Sequence, residues 1–206
     1  TGVRIENGEA TGVEYRKDGT RREATATREV ILSGGAVNSP QLLLLSGVGD
    51  PDHLRAHGID VAVDLPGVGK NLQDHPATFT VYECEKPVTH DDVGGLRDRL
   101  NYALFKTGPL TSNVAEAGGF VRSDPSLSAP DLSFYFVPAF NMGHQENPDE
   151  GHGFSLTVSH NRPRSRGEIR LASADPFDDP VIDPQYLTAE GDLAALVEGL
   201  RLSREI

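Results

Sequence analysis

The feature that most constrains this chain is a pattern of punctuation near its start. A short apolar run, Glu29-Val30-Ile31-Leu32, ends in Ser33-Gly34-Gly35. Ser39-Pro40 then reads as a helix start, with Ser as N-cap and Pro at the first helical position. Gln41 to Ser46 is the helix body and Gly47 its stop. A buried strand running into paired glycines and then a helix is how α/β sheets bring backbone against a nucleotide.

The flanking segments extend this reading. Gly12 to Tyr15 is a strand that enters an Asp18-Gly19 turn, a hairpin signal. A second short helix is expected over Asp52 to His57, closed by Gly58, and a strand over Asp60 to Leu65. From Pro76 the texture changes to strands joined by Pro-, Gly- and Asn-rich connections. Strands are expected at Phe79–Tyr82, Gly118–Val121, Leu132–Phe136, Phe154–Val158 and Glu168–Leu171. Leu96 to Phe105 reads as a helix with Leu96, Leu100, Leu104 and Phe105 on one face. Phe140 to Gly153 is a polar loop and a candidate lid. Asp192 to Ile206 reads as an amphipathic helix with Leu193, Leu196, Val197, Leu200 and Leu202 as its stripe. The fold class expected is α/β (α+β), an α/β part followed by an antiparallel sheet.

Composition excludes several classes. The 206 residues are 37% hydrophobic, enough to build a core. Net charge is −12, and 15 of the 19 basic residues are Arg; such a surface repels phosphate backbones and disfavours nucleic acid. No apolar run approaches the roughly 20 residues of a membrane helix. The lone cysteine, Cys84, has no partner for an internal disulfide, which suits a reducing compartment. The chain opens on Thr1 with no apolar leader. These points give a cytoplasmic expectation, with membrane association through an electron acceptor left open.

Three tempting motifs fail. His53 and His57 have the i, i+4 spacing of a helical zinc pair, yet Leu54 stands where a metalloprotease helix has Glu, and no third ligand is evident. Gly67-Val68-Gly69-Lys70-Asn71 lacks the first Gly and the Ser/Thr of a phosphate loop. No Gly-x-Ser-x-Gly elbow is present.

The run Gly35-Ala36-Val37-Asn38-Ser39-Pro40-Gln41-Leu42-Leu43-Leu44-Leu45-Ser46-Gly47-Val48-Gly49 resembles the second signature of the glucose–methanol–choline oxidoreductase family: a small pair, Ser/Thr-Pro, aliphatics, then Ser-Gly-aliphatic-Gly. Gly69-Lys70-Asn71-Leu72-Gln73-Asp74-His75 is similar to the family's Gly-x-Asn-Leu-Gln-Asp-His stretch. Ser165-Arg166-Gly167-Glu168-Ile169-Arg170-Leu171 and Pro180-x-Ile182-Asp183-Pro184 continue the likeness. Gly108-Pro109-Leu110 through Gly118-Gly119-Phe120 resembles the choline- and alcohol-dehydrogenase branch. The resemblance implies part of an FAD-binding domain over 1–76, a substrate-binding domain over 77–165 and the start of the family's C-terminal region over 166–206. It implies FAD as cofactor and a primary alcohol, choline-like or aliphatic, as substrate, oxidised by hydride transfer to the flavin. Oxygen or a quinone is left open as the electron acceptor. A hydroxynitrile lyase on the same scaffold, and a truncated non-catalytic module, are the alternatives.

The departures bear on the site. No Gly-x-Gly-x-x-Gly unit for the FAD pyrophosphate occurs, and the family's catalytic His lies in a region beyond these residues. The fragment alone is therefore expected to be inactive, and no catalytic residue is assigned. Ser33, Gly34 and Gly35 either let backbone approach the dinucleotide or permit a tight turn. Ser39 is an N-cap or faces a phosphate. The resemblance puts Asn71, Asp74 and His75 near the flavin; the other reading is that they brace their loop. Asn113 and Glu116 precede a strand of the substrate domain, where Glu116 either meets a cationic head group or is a surface carboxylate. No metal site is expected.

Overall fold

Two glycine turns set the first part of the chain. Asn7-Gly8 and Asp18-Gly19 both have paired positive φ angles, the type I′ geometry that matches strand twist. They join β1 (Gly2–Glu6), β2 (Glu9–Lys17) and β3 (Thr20–Thr25) into an antiparallel meander. This computed structural model describes residues 1–140 and 151–206. There follow α1 (Gly35–Leu45), β4 (Val48–Gly49), α2 (Pro51–Ala56), β5 (Val63–Asp64) and β6 (Lys70–Leu72). Next come β7 (Ala77–Glu83), α3 (Leu96–Phe105), a 3-10 turn at Pro109–Thr111 and β8 (Ala117–Val121). The chain then runs through β9 (Leu132–Val137), β10 (Gly153–His160), β11 (Gly167–Arg170), β12 (Val181–Asp183) and α4 (Asp192–Ser203).

The chain divides into two compact units, each built from two stretches. The first takes Thr1–Gln73 and Ser165–Thr188; the second takes Asp74–Arg164 and Ala189–Ile206. In the first, β12-β11-β6 forms a small antiparallel sheet, and Lys70 sits opposite Glu168 and pairs with it. β4 and β5 are the parallel pair among the described residues. The core is Leu44, Leu54 and Leu171, with Ile59, Val61 and Val68 packed around it. Of the four leucines Leu42 to Leu45, Leu44 alone is fully buried.

Several expectations for this unit are corrected. Among the described residues Glu29–Leu32 is not a buried strand: no strand there pairs with it, and Ile31 is 75% exposed. Four apolar residues do not make a strand without a neighbour to pair with. The first helix begins at Gly35, and Ser39 is not its N-cap. Pro40 lies inside the helix, where it has no N–H to give to the carbonyl of Ala36. The second helix starts at Pro51, one residue earlier than expected, because Asp50 accepts the backbone N–H groups of Asp52 and His53. Of Asp60–Leu65 only Val63–Asp64 pairs as a strand.

The second unit is a four-stranded antiparallel sheet, order β7-β10-β9-β8, with α4 on one face. The strands fall where the alternation predicts them. Leu132, Phe134, Leu156 and Val158 meet Ala195 and Leu196 of α4 in the core. The register assigns the opposite face: Phe79 opposes Thr157, Thr157 opposes Tyr135, and Tyr135 opposes Gly118. The expected stripe on α4 is corrected. Its buried residues are Asp192, Ala195, Leu196, Gly199 and Ser203, while Leu193 and Val197 are exposed. Gly199 explains why. A Cβ there would fall within contact distance of Val158 Cγ1 and 3.2 Å from Leu132 Cδ1, so the helix lies close against the sheet and only small residues fit. The helix at Leu96–Phe105 forms as expected, but its apolar face is exposed rather than packed. Most of the polar loop from Phe140 to Gly153 lies outside the described residues.

Candidate functional site

The first cluster is the turn that opens α1. Ser33, Gly34 and Gly35 are exposed, and Ser39 is half-buried one turn into the helix. The Gly34 N–H donates to Ser39 Oγ at 3.0 Å, which ties the turn to the helix it precedes. Gly35 has φ +79°, and no atom stands within 4 Å of the position its Cβ would take. The helix has no side-chain cap and no acidic residue in its first turn. Its N-terminal N–H groups and partial positive charge thus meet no side-chain carboxylate of that turn, the arrangement that receives anions.

Asn71 lies on β6 in the same unit, exposed and with φ +62°. Asp74 and His75 open the second unit. Both are exposed, and the His75 N–H donates to Asp74 Oδ1 at 2.9 Å. The structure therefore joins Ser39 to the glycine turn by a hydrogen bond and joins His75 to Asp74 by another.

Asn113 and Glu116 lie on the connection between the 3-10 turn and β8, both exposed. Glu116 Oε1 is 3.5 Å from His90 Nε2. His90 is itself held by its backbone N–H, which donates to the Pro138 carbonyl at 2.6 Å. The sequence reading missed His90, which stands 26 residues before its partner with no spacing to connect them. It also missed the second face of the sheet. There Phe79, Tyr135 and Phe120 are exposed around a row of hydroxyls, Ser133, Ser155, Thr157 and Ser159. Thr157 Oγ1 is buried with no hydrogen-bond partner among the described residues. The signal for this face was present: β7, β9 and β10 each alternate, and the residues not used by α4 point the other way.

His53 and His57 hold no metal geometry. His53 Nε2 accepts the Leu171 N–H at 3.1 Å, and His57 Nδ1 lies 2.9 Å from the His53 carbonyl. Among the described residues no group of three or more His, Cys, Asp or Glu is placed to hold a metal ion. A cavity of about 1230 Å3 beside α4, lined in part by Asp131, His160, Arg162 and Arg164, contains none of the candidate cofactor- or substrate-binding residues.

Two models of one family match the chain, both described as GMC oxidoreductase, over residues 3–77 and 163–206. They cover more than half of the chain, which belongs to the GMC oxidoreductase family. It is 45% identical over 208 residues to mitochondrial choline dehydrogenase of Mus musculus, covering 99% of this chain and 35% of that protein. It is 42% identical to alcohol dehydrogenase [acceptor] of Pseudomonas putida, covering 100% of this chain and 39% of that protein. Among solved structures, formate oxidase of Aspergillus oryzae RIB40 superposes with a TM-score of 0.87 at 32% identity, covering 99% of this chain and 41% of that one. The chain thus spans 35% to 41% of the length of these relatives.

Proposed function

We propose that these residues belong to an FAD-dependent oxidoreductase that oxidises the CH–OH group of a small primary alcohol, choline-like or aliphatic. The observation that carries this reading is the likeness, over essentially the whole chain, to proteins named choline dehydrogenase and alcohol dehydrogenase. The formate oxidase that shares the fold is a protein in which FAD modification occurs. FAD, when bound, supplies a hydride acceptor.

The residues present fit an anionic dinucleotide. The backbone at Gly35 is open, and the first turn of α1 carries no carboxylate to repel a phosphate. In this reading Ser33, Gly34, Gly35, Ser39 and Asn71 of the first unit are cofactor-binding residues, and so are Asp74 and His75 at the start of the second. The second face of the sheet, with Phe79, Thr157 and Tyr135, is the wall for the substrate's carbon skeleton. The Thr157 hydroxyl, without a partner among the described residues, offers a donor or acceptor to a small polar group. Glu116 is the charge that selects a cationic head group. A carboxylate at about 4 Å from a quaternary ammonium contributes on the order of 1–4 kcal/mol, depending on how dry the pocket is. No residue of this chain is assigned as the base. The protein acts in the cytoplasm on this reading and passes its electrons to oxygen or a quinone.

The test uses a protein of the relatives' length that carries these residues. Incubation with choline and with a neutral alcohol is expected to yield the carbonyl product and a reduced acceptor. Release of cyanide from a cyanohydrin, without acceptor reduction, would replace the reading with a lyase. Glu116→Gln is expected to raise KM for choline about tenfold or more and to leave the neutral alcohol unchanged. Equal effects on both substrates would make Glu116 structural.

A further inference from the structure

A ten-residue helix that buries nothing is the least explained element of this fold. α3 has no buried residue, and within the described residues its packing partner is the short 3-10 turn Pro109–Thr111. Leu96 is 75% exposed and Leu104 is 71% exposed, with Leu100 also exposed. Isolated helices shorter than about 12–15 residues are marginal in water, and burial of an amphipathic face is what normally sustains them. This helix presents such a face with none of the described residues packed on its leucines.

The arrangement of charge says what fits. At about 100° per residue, Leu96, Leu100 and Leu104 form one stripe about 80° wide. Arg97 borders the stripe on one side. Arg99 and Lys106 border it on the other. Asp98, the one acidic residue of the segment, lies away from the stripe and accepts the Gly94 N–H at 3.1 Å. Residues 96–106 thus carry a net charge of +2 in a chain of −12. Neither Arg97 nor Arg99 has an ion-pair partner among the described residues; Lys106 lies over the Tyr102 ring, 4.7 Å from its centroid. A second copy offering the same face would set these cations against themselves. An apolar stripe with cations on both flanks matches instead a surface that is apolar beneath and anionic at its rim.

We propose that α3 is an interfacial helix, which seats its leucine stripe in the headgroup region of an anionic lipid bilayer with Arg97, Arg99 and Lys106 at phosphate level. No described helix is long and apolar enough to cross a membrane, so the contact is with the surface. The proposal stands apart from the redox reading, because lipid binding requires neither cofactor nor turnover. The net charge of −12 makes it a demanding one: the molecule as a whole is repelled by an anionic membrane, so binding has to come from this patch.

Co-sedimentation of the full chain with vesicles decides it. Vesicles of phosphatidylcholine with about 30% phosphatidylserine are expected to pull down the protein at about 0.1 M salt, and pure phosphatidylcholine vesicles about tenfold less. Arg97→Gln with Arg99→Gln should weaken binding on the order of twentyfold, about fivefold for each arginine. Leu100→Ser with Leu104→Ser should abolish it while leaving the unfolding midpoint unchanged, since neither leucine is in the core. Phe79→Ser, an exposed aromatic on the sheet, should bind as the parent does. Equal binding to both kinds of vesicle, no binding at all, or an equal loss with Phe79→Ser overturns the proposal. Self-association that the leucine variants abolish, without vesicle binding, also overturns it and assigns the face to a second copy.

Discussion

His53 shows how far a single residue's role can lie from its sequence signal. The i, i+4 histidines invite a metal reading, and the sequence alone argues against it by the lack of further ligands. What His53 does instead is accept the N–H of Leu171, 118 residues away, a pairing no local pattern contains. Only the neutral ring can accept there. Burial, the nearby His57 and Arg170 hold the His53 pKa below its ordinary value. The sign follows: the unfolded chain takes up the proton near pH 6.5 and the folded chain later, so the stabilisation is complete above about 6.5 and is lost as pH falls through that value toward the folded pKa. Urea unfolding from pH 8 to pH 5 should show a falling midpoint. His160 adds in the same direction, since burial lowers its pKa too. His53→Gln, whose amide oxygen can still accept, should flatten part of this slope. His53→Ala leaves the Leu171 N–H, on a residue only 3% exposed, without its acceptor and should cost about 1–3 kcal/mol above about pH 6.5, where the ring is neutral, and less as pH falls. Ser39 teaches the same lesson on a smaller scale. A Ser-Pro pair is a good helix start, but the hydroxyl accepts from Gly34 behind it and the helix has already begun.

At the level of elements, the strands of the second unit were legible because each alternates and each ends in turn residues. The face of α4 was not. A stripe of leucines and valine is the ordinary mark of the buried side, yet the close approach to β9 and β10 selects Ala195, Gly199 and Ser203; of the large residues Leu196 alone is fully buried, with Leu202 partly buried against the same core. Asp192 is buried as well, because the Arg164 N–H donates to it at 2.8 Å. Close helix–sheet contact is a tertiary fact that the hydrophobic pattern does not carry. It predicts the outcome of Gly199→Ala. Removing Gly from a helix interior gains about 1 kcal/mol in propensity. Against that, the added methyl meets Val158, which is β-branched and fully buried, and overpacking of this kind costs about 1–3 kcal/mol. The clash should win, and the variant should unfold at a lower denaturant midpoint with unchanged slope. An unchanged or higher midpoint would mean that α4 can retreat from the sheet at little cost. Glu29–Leu32 fails for the opposite reason: its apolar content is real, but nothing among the described residues pairs with it.

For the molecule as a whole, family membership was the most legible property, because the Gly35–Gly49 and Gly69–His75 runs constrain residue types at fixed spacings. The two-unit organisation was less so: the chain returns to its first unit at 165–188 and to its second at 189–206, and no composition shift marks either crossing. The same architecture bears on cofactor retention. The open Gly35 turn and uncapped α1 offer one helix end to an anion. A dinucleotide has two phosphates, and the Gly-x-Gly-x-x-Gly loop that usually holds them is not among these 206 residues. One helix end at the surface is worth on the order of 0.3–1 kcal/mol to a charge, far short of the roughly 8 kcal/mol that micromolar retention through purification demands. The 206 residues expressed alone are therefore expected to purify with far less than one FAD per chain, read from the ratio of flavin to protein absorbance. Adding free FAD should raise the unfolding temperature little, because a weak ligand stabilises only in proportion to its occupancy. A ratio near one would show that the residues present hold the pyrophosphate themselves, and Gly34→Val with Gly35→Val would then identify the α1 turn as the place by losing it.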